Sequence, residues 1–272
     1  MLFQKKFGKV LENCSSWLVD NKLSLHLGKT ECLLFGPPRK LKSIDKFEVV
    51  CNNHVIKSTD SVKYLGLQID KFLDCERIVL SIVQKVNARL KFLYRHANVL
   101  NTQSRITLTS ALIQCHFDYS CSSWFGGISK TLKQKLQVAQ NKVVRFILDL
   151  KPRDSITCDI LDSLKMLRVD NRVKQLRLNH VHNIFYGCAP SYMNSHFSLN
   201  ENCTRGSSSS NFLVPRIGGS ESGSFYYNAI LDWNALPTNI KGLRNKDAFK
   251  AAVKTHLRNA ARNVESETYV YF

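Results

Sequence analysis

A switch in hydrophobic period near residue 74 constrains the fold of this chain more than any other feature of its sequence. Upstream of it, short apolar runs are separated by turn formers. Ser24-Leu25-His26-Leu27 and Cys32-Leu33-Leu34-Phe35 have strand character, and Gly36-Pro37-Pro38 stops the second. Two further runs, 47–51 and 54–56, flank Asn52-Asn53. Consecutive asparagines tolerate the positive φ angles of a tight two-residue turn, so this segment predicts a β-hairpin. Residues 62–69 read as another strand. Beyond Asp74 the apolar residues recur at helical spacing: Val79, Ile82, Val83, Val86, Leu90 and Leu93 form one stripe. Helices are also predicted over 102–115, over 131–148 with Pro152 as its break, and over 170–186 with Asp170 as its cap. An amphipathic helix over 2–20 precedes all of this. The fold class that follows is α+β, with small β-hairpins near the N-terminus and a mostly helical remainder.

Charge supplies the second constraint. The 272 residues carry 39 Lys and Arg against 21 Asp and Glu, a net +18. The excess peaks in residues 71–150, where 12 basic residues face 4 acidic ones. Such a balance attracts phosphate backbones or acidic membranes. On a helical wheel Arg77, Lys85, Arg89 and Arg95 fall within an arc of about 120° away from the apolar stripe. Phe92 and Tyr94 lie beside them and are candidates for stacking on bases. The bland reading of the same charges is a solvated helix face.

Other signals are negative or structural. Nine cysteines at scattered positions contain no CxxC pair, and their odd count argues against a disulfide framework. Reduced thiols in a cytoplasmic or nuclear protein are expected, not a secreted one. No apolar run approaches the roughly 18 residues of a membrane span. Cys115-His116 with Cys121, and Cys188 with His196 and Cys203, are loose clusters without zinc-ligand spacing. No metal and no cofactor is expected. Residues 200–224 are rich in Ser and Gly and read as a flexible loop. Compact aromatic sequence over 225–236 and a last amphipathic helix over 246–262 follow it. Trp233, Leu236 and Pro237 read as a packing anchor, not a site.

Two blocks carry a resemblance. Trp17-Leu18-Val19-Asp20-Asn21-Lys22-Leu23 runs into Lys29-Thr30-Glu31-Cys32-Leu33-Leu34-Phe35-Gly36, and Ser61-Val62-Lys63-Tyr64-Leu65-Gly66-Leu67-Gln68-Ile69-Asp70 follows. Together they resemble the last palm motifs of reverse transcriptases from LINE-type, non-LTR, jockey-like retrotransposons. Thr204-Arg205, Val214-Pro215-Arg216, Ser224-Phe225-Tyr226-Tyr227-Asn228-Ala229, Trp233-Asn234-Ala235-Leu236-Pro237 and Phe249-Lys250 resemble the tail that follows the thumb in such polymerases. The resemblance spans residues 3–258. It implies a palm remnant over 1–70, a helical thumb over 71–150 and a helical tail over 151–272.

The same resemblance assigns roles. Tyr64-Leu65-Gly66 resembles the primer-grip hairpin, so Lys63, Tyr64 and Gly66 are candidate nucleic-acid contacts, with Arg77, Lys85, Arg89 and Arg95 on the thumb. Lys29 resembles the palm lysine near the incoming nucleotide and is a vestigial catalytic candidate. The family's metal-binding aspartates lie upstream of these motifs, and the 13 aspartates here include no Asp-Asp pair. Two-metal polymerisation needs such carboxylates. Asp118 reads as a surface or capping carboxylate. The expectation is a truncated reverse transcriptase-like chain that does not polymerise alone. Its rivals are a non-catalytic module gripping RNA or RNA–DNA duplex, and a polypeptide with too little sheet left to fold. Oligomeric state is not legible.

Overall fold

A computed structural model describes residues 2–42, 44, 47–200, 210–218 and 222–269. The chain divides into two compact units, Met1–Ile78 and Val79–Phe272. The architecture is α+β, mostly helical with two small antiparallel hairpins.

The first unit opens with α1 (Leu2–Asp20), which packs on the strand β1 (Glu48–Cys51). The approach is close enough that a Cβ on Gly8 would sit 2.6 Å from the Val50 carbonyl oxygen. Strand β1 pairs with β2 (His54–Lys57), Cys51 opposite His54. Asn52 and Asn53 take φ of 48° and 61°, the two-residue turn that their side chains favour. A second hairpin joins β3 (Ser61–Tyr64) to β4 (Leu67–Asp70). Residues 62–69 are therefore two strands and a turn, not one strand. The runs at 24–27 and 32–35 also depart from expectation. Leu27–Lys29 is a 3-10 turn, and Cys32 makes a single parallel bridge to Ser58. A strand needs a ladder partner to satisfy its backbone, and neither hairpin offers these runs one. The short helix α2 (Pro38–Leu41) begins with a proline already set for the helical φ.

Among the described residues of this unit Val49, Cys51, Ile56 and Ile78 are the buried hydrophobic side chains, while Leu25, Leu27 and Leu34 are half-buried and Phe35 is exposed. So small a core leaves backbone amides easy to open. Amide hydrogen exchange is accordingly expected to be faster in 1–46 than in 77–148; slower exchange in 1–46 would contradict it.

The second unit is helical. Helix α3 (Glu76–Tyr94) leads into it and buries Val79, Ile82, Val86, Leu90 and Leu93, the stripe read from sequence. Helix α4 (Thr102–Thr109) is capped by Asn101, whose side chain accepts from the Ser104 amide at 2.8 Å. It widens into a π turn, Ser110–Gln114, before α5 (Cys115–Asp118) and α6 (Cys121–Trp124). Helix α7 (Lys130–Leu148) ends at Asp149, in the left-handed region at φ 56°, so its stop precedes Pro152. Helix α8 (Cys158–Ser163) follows, then α9 (Val169–Phe185). Asp170 lies in the first turn of α9, not at its cap, which is Arg168; there it still complements the helix dipole.

Helix α9 is the hub of the unit, touching α5, α6, α7, α10 (Phe225–Asn234) and α12 (Lys246–Tyr269). Its buried residues spread over a wide arc and include the polar Gln175, Arg177 and His182, which explains its weak amphipathic pattern. The core it shares with α10, α11 (Thr238–Lys241) and α12 includes Leu178, Val181, Trp233, Ile240, Phe249 and Val253. Of the Ser/Gly-rich stretch 200–224, residues 201–209 and 219–221 lie outside the described residues. Next to them Phe212 is buried and bridges Leu199, and Asn234 holds its amide and carbonyl at 2.9 and 2.8 Å. Among the described residues no helix is long and apolar enough to cross a membrane.

Candidate nucleic-acid interface

In the first unit the candidate residues gather at one hairpin. Leu65 and Gly66, at φ 46° and 83°, close β3 onto β4, with Tyr64 opposite Leu67 and Lys63 opposite Gln68. Glycine takes such an angle freely; leucine does so at a cost, since its Cβ crowds the backbone. Tyr64 and Leu65 are 63% and 73% exposed, and Lys63 is exposed beside them. The hairpin tip thus offers an aromatic ring, an aliphatic side chain and a cation to solvent.

The base of the hairpin is fastened to the start of α3. Asp70 is buried, and its carboxylate accepts from the amides of Phe72 at 2.9 Å, Cys75 at 3.3 Å and Asp74 at 3.4 Å. Burial, aided by the charges of Asp70 and Asp74, pushes the Cys75 thiol up to about 11. Asp74 in turn accepts from the Glu76 amide at 2.9 Å, which starts the helix where the period changes. Arg77 donates to the Ser61 hydroxyl at 2.7 Å, and Gln68 donates to the same oxygen at 2.9 Å. Arg77 therefore ties helix to hairpin. Lys29, the vestigial catalytic candidate, ends an exposed 3-10 turn, and its side chain makes no hydrogen bond or ion pair among the described residues.

In the second unit Lys85 and Arg89 are exposed on α3, and Arg95 is exposed one residue beyond its end. Among the described residues none of the three has a carboxylate partner. Lys85 and Arg89 act together on His116 of α5, whose pKa is lowered first by burial and then by those two charges. Phe92 stands open at 54% exposure, 5.3 Å from the His96 ring. Tyr94 differs from it: its ring meets Phe146 edge-on at 4.9 Å, and burial raises its pKa. Both rings of the pair read from sequence are exposed, Phe92 at 54% and Tyr94 at 51%; Tyr94 differs in also packing edge-on against Phe146.

The other cations show why the exposed ones stand out. Arg105 donates to the carbonyls of Ala97, Leu100 and Phe146 and pairs with Asp149 at 3.3 Å. Arg145 donates twice to the Asp154 carbonyl. Arg172 grips Asp118 with two bonds, at 2.7 and 3.1 Å. Asp118 is thus an internal anchor between α5 and α9, not a surface or capping carboxylate. These arginines are occupied inside the fold, whereas Lys85, Arg89, Lys91, Arg95, Lys130 and Lys135 stay exposed and unpaired with carboxylates among the described residues.

No family model, curated protein or solved structure matches this chain. The site must therefore be read from its own chemistry. Among the described residues no three His, Cys, Asp or Glu side chains come close enough to hold a metal, and none of the eight described cysteines is bridged to another. Cys203 of one loose cluster lies outside the described residues. The second unit also holds a cavity of about 250 Å³ among helices α4, α7, α9 and α12. Its polar lining includes Gln114, Gln140, Lys165, Arg172, Gln175 and Lys254. Sequence reading did not single these out, because no short spacing links residues so far apart in the chain.

Proposed function

We propose that this chain is a non-catalytic nucleic-acid-binding module, allied to the palm end and thumb of a LINE-type reverse transcriptase, that grips RNA or RNA–DNA duplex through phosphates. The observation that carries the reading is the set of exposed cations Lys85, Arg89 and Arg95 with an exposed Phe92 among them, in a unit whose Arg105, Arg145 and Arg172 are held by internal partners. Cations free of carboxylates can displace counterions from a phosphate backbone, and an exposed ring beside them can stack on an unpaired base. The exposed Lys63 and Tyr64 on the Gly66 hairpin offer the same chemistry in the first unit. Polymerisation by this chain alone is not part of the proposal, since its sequence supplies no Asp-Asp pair for two metals.

The test is salt dependence. Lys85→Ala with Arg89→Ala is expected to weaken binding to RNA–DNA duplexes of every sequence alike, because phosphate contacts position without reading bases. Each lost contact should flatten the slope of log affinity against log salt by about 0.7–0.9. Both side chains are exposed while Val79, Val86 and Leu90 stay buried, so the circular dichroism should not change. A double variant with the parent's slope would leave these charges as a solvated helix face and remove the proposal.

A further inference from the structure

The lining of the cavity in the second unit is mixed. Ile106, Ile113, Phe117, Val143 and Ile147 are among its apolar residues. Its polar residues include the cations Lys165, Arg172 and Lys254. Gln140 and Gln175 are buried there and already committed, Gln140 donating to the Leu167 carbonyl at 2.8 Å and Gln175 accepting from Arg172 at 2.8 Å. Arg172 has Asp118, and Arg258, whose charge reaches Lys254, has Asp162. Lys165 and Lys254 have no carboxylate among the described residues. Burial lowers the pKa of Lys254, and the charges of Arg172, Arg258 and Lys165 lower it further. Two cations without a carboxylate partner among the described residues, Lys254 half-buried and Lys165 exposed, therefore line a space that also has apolar residues in its lining.

Backbone geometry at the cavity is also unusual. Lys165 sits at φ 53°, at the C-terminal turn of α8, where its amide bonds to the Asp162 carbonyl at 2.9 Å and the Met166 amide to the Leu161 carbonyl at 2.8 Å. This is the Schellman arrangement, whose left-handed position normally belongs to glycine. A lysine there costs stability. The lining also includes residues of the π turn Ser110–Gln114, a form that is rare and recurs at functional sites.

We propose that this cavity binds a small amphipathic anion: an oxyanion headgroup held by Lys254 and Lys165, with an apolar body against Ile113, Phe117 and Val143. A cavity of about 150 Å³ holds benzene, so 250 Å³ suits a body and headgroup of roughly ten heavy atoms. This site is separate from the exposed cations of α3 and does not depend on the nucleic-acid reading.

Isothermal titration calorimetry on the full chain tests it, with octanoate and hexyl phosphate as anions, 1-octanol as the uncharged control and inorganic phosphate as the tailless one. Saturable one-to-one binding of either anion, with both controls weaker, is the expected result; whichever anion binds tighter identifies the headgroup. Lys254→Met keeps the aliphatic stem and should reduce affinity about tenfold or more, the value of a charged hydrogen bond. Lys165→Gly should weaken binding while raising the melting temperature, which a purely structural role for the lysine would not produce. Failure of both anions to saturate, or equal affinity in the parent and Lys254→Met, would overturn the proposal.

Discussion

Replacing Asp232 by alanine is expected to destabilise the helical unit by about 3–5 kcal/mol, the usual cost of leaving one member of a buried ion pair alone. Arg177 of α9 lies 3.0 Å from Asp232 of α10, with side chains 5% and 17% exposed. Two of its guanidinium nitrogens, Nε and Nη1, and the Asp232 Oδ2 lack hydrogen-bond geometry to any partner among the described residues, although the charges are in contact. Burial is the largest influence on both groups, raising the Asp232 pKa and lowering that of Arg177, with their mutual attraction second. Desolvation therefore outweighs attraction in this pair. Alanine at 232 removes the attraction and keeps the buried guanidinium. The joint change Arg177→Met with Asp232→Leu removes both charges and should be neutral or stabilising.

Urea denaturation followed by tryptophan fluorescence checks both variants. A loss below about 1 kcal/mol for the single change, the range of a surface pair, would show that water reaches Arg177. The pH dependence has a definite sign. Because the folded pKa of Asp232 is raised, its contribution to stability is present below the ordinary aspartate range and is lost as pH rises through the folded value. The parent should therefore gain on the double variant as the solution is acidified.

Pairs like this one mark the boundary of what sequence could disclose. The Asn52-Asn53 hairpin was legible because turn chemistry acts over two residues. The buried stripe of α3 was legible because a helix repeats its face every few positions. The runs at 24–27 and 32–35 misled because strand character resides in side chains, whereas a strand exists only where another backbone completes its ladder. The turn at Leu65-Gly66 was masked in the residue pattern by the apolar run around it, although Gly66 and the resemblance to a primer-grip hairpin both pointed to it. Asp118 could not be assigned from its neighbours: the guanidinium that holds it is 54 residues away. Distance in sequence likewise hid Lys165 and Lys254. For the candidate interface, the wheel identified Lys85 and Arg89 but could not tell that Tyr94, though exposed like Phe92, also packs against Phe146.

Trp233 was legible as an anchor, and its truncation should have the other large effect. Its side chain is fully buried, with the rings of Phe185, Phe212 and Phe249 at 5.0, 5.9 and 6.0 Å. Its indole Nε1 donates to the Ser210 carbonyl at 2.9 Å, fastening the segment that carries Phe212 to α10. Trp233→Ala removes a large ring from a packed aromatic cluster and should cost about 3–5 kcal/mol, more if the cluster cannot close around the void. Trp233→Phe keeps much of the contact and loses the hydrogen bond, so a cost of about 1–3 kcal/mol is expected. Guanidinium denaturation of the two variants separates packing from bonding: equal losses would assign the anchor to the indole N–H, not the ring. Nucleic-acid affinity supplies a second comparison. A ring enclosed by phenylalanines has no face free for a base, so Trp233→Phe should bind RNA–DNA duplex as the parent does. On single-stranded RNA, where bases are unpaired, the exposed Phe92 replaced by leucine should lose stacking and bind more weakly, whereas Trp233→Phe should bind it as the parent does. If Trp233→Phe weakened binding while Phe92→Leu did not, the aromatic contact would lie in the α10 cluster and not beside the exposed cations of α3.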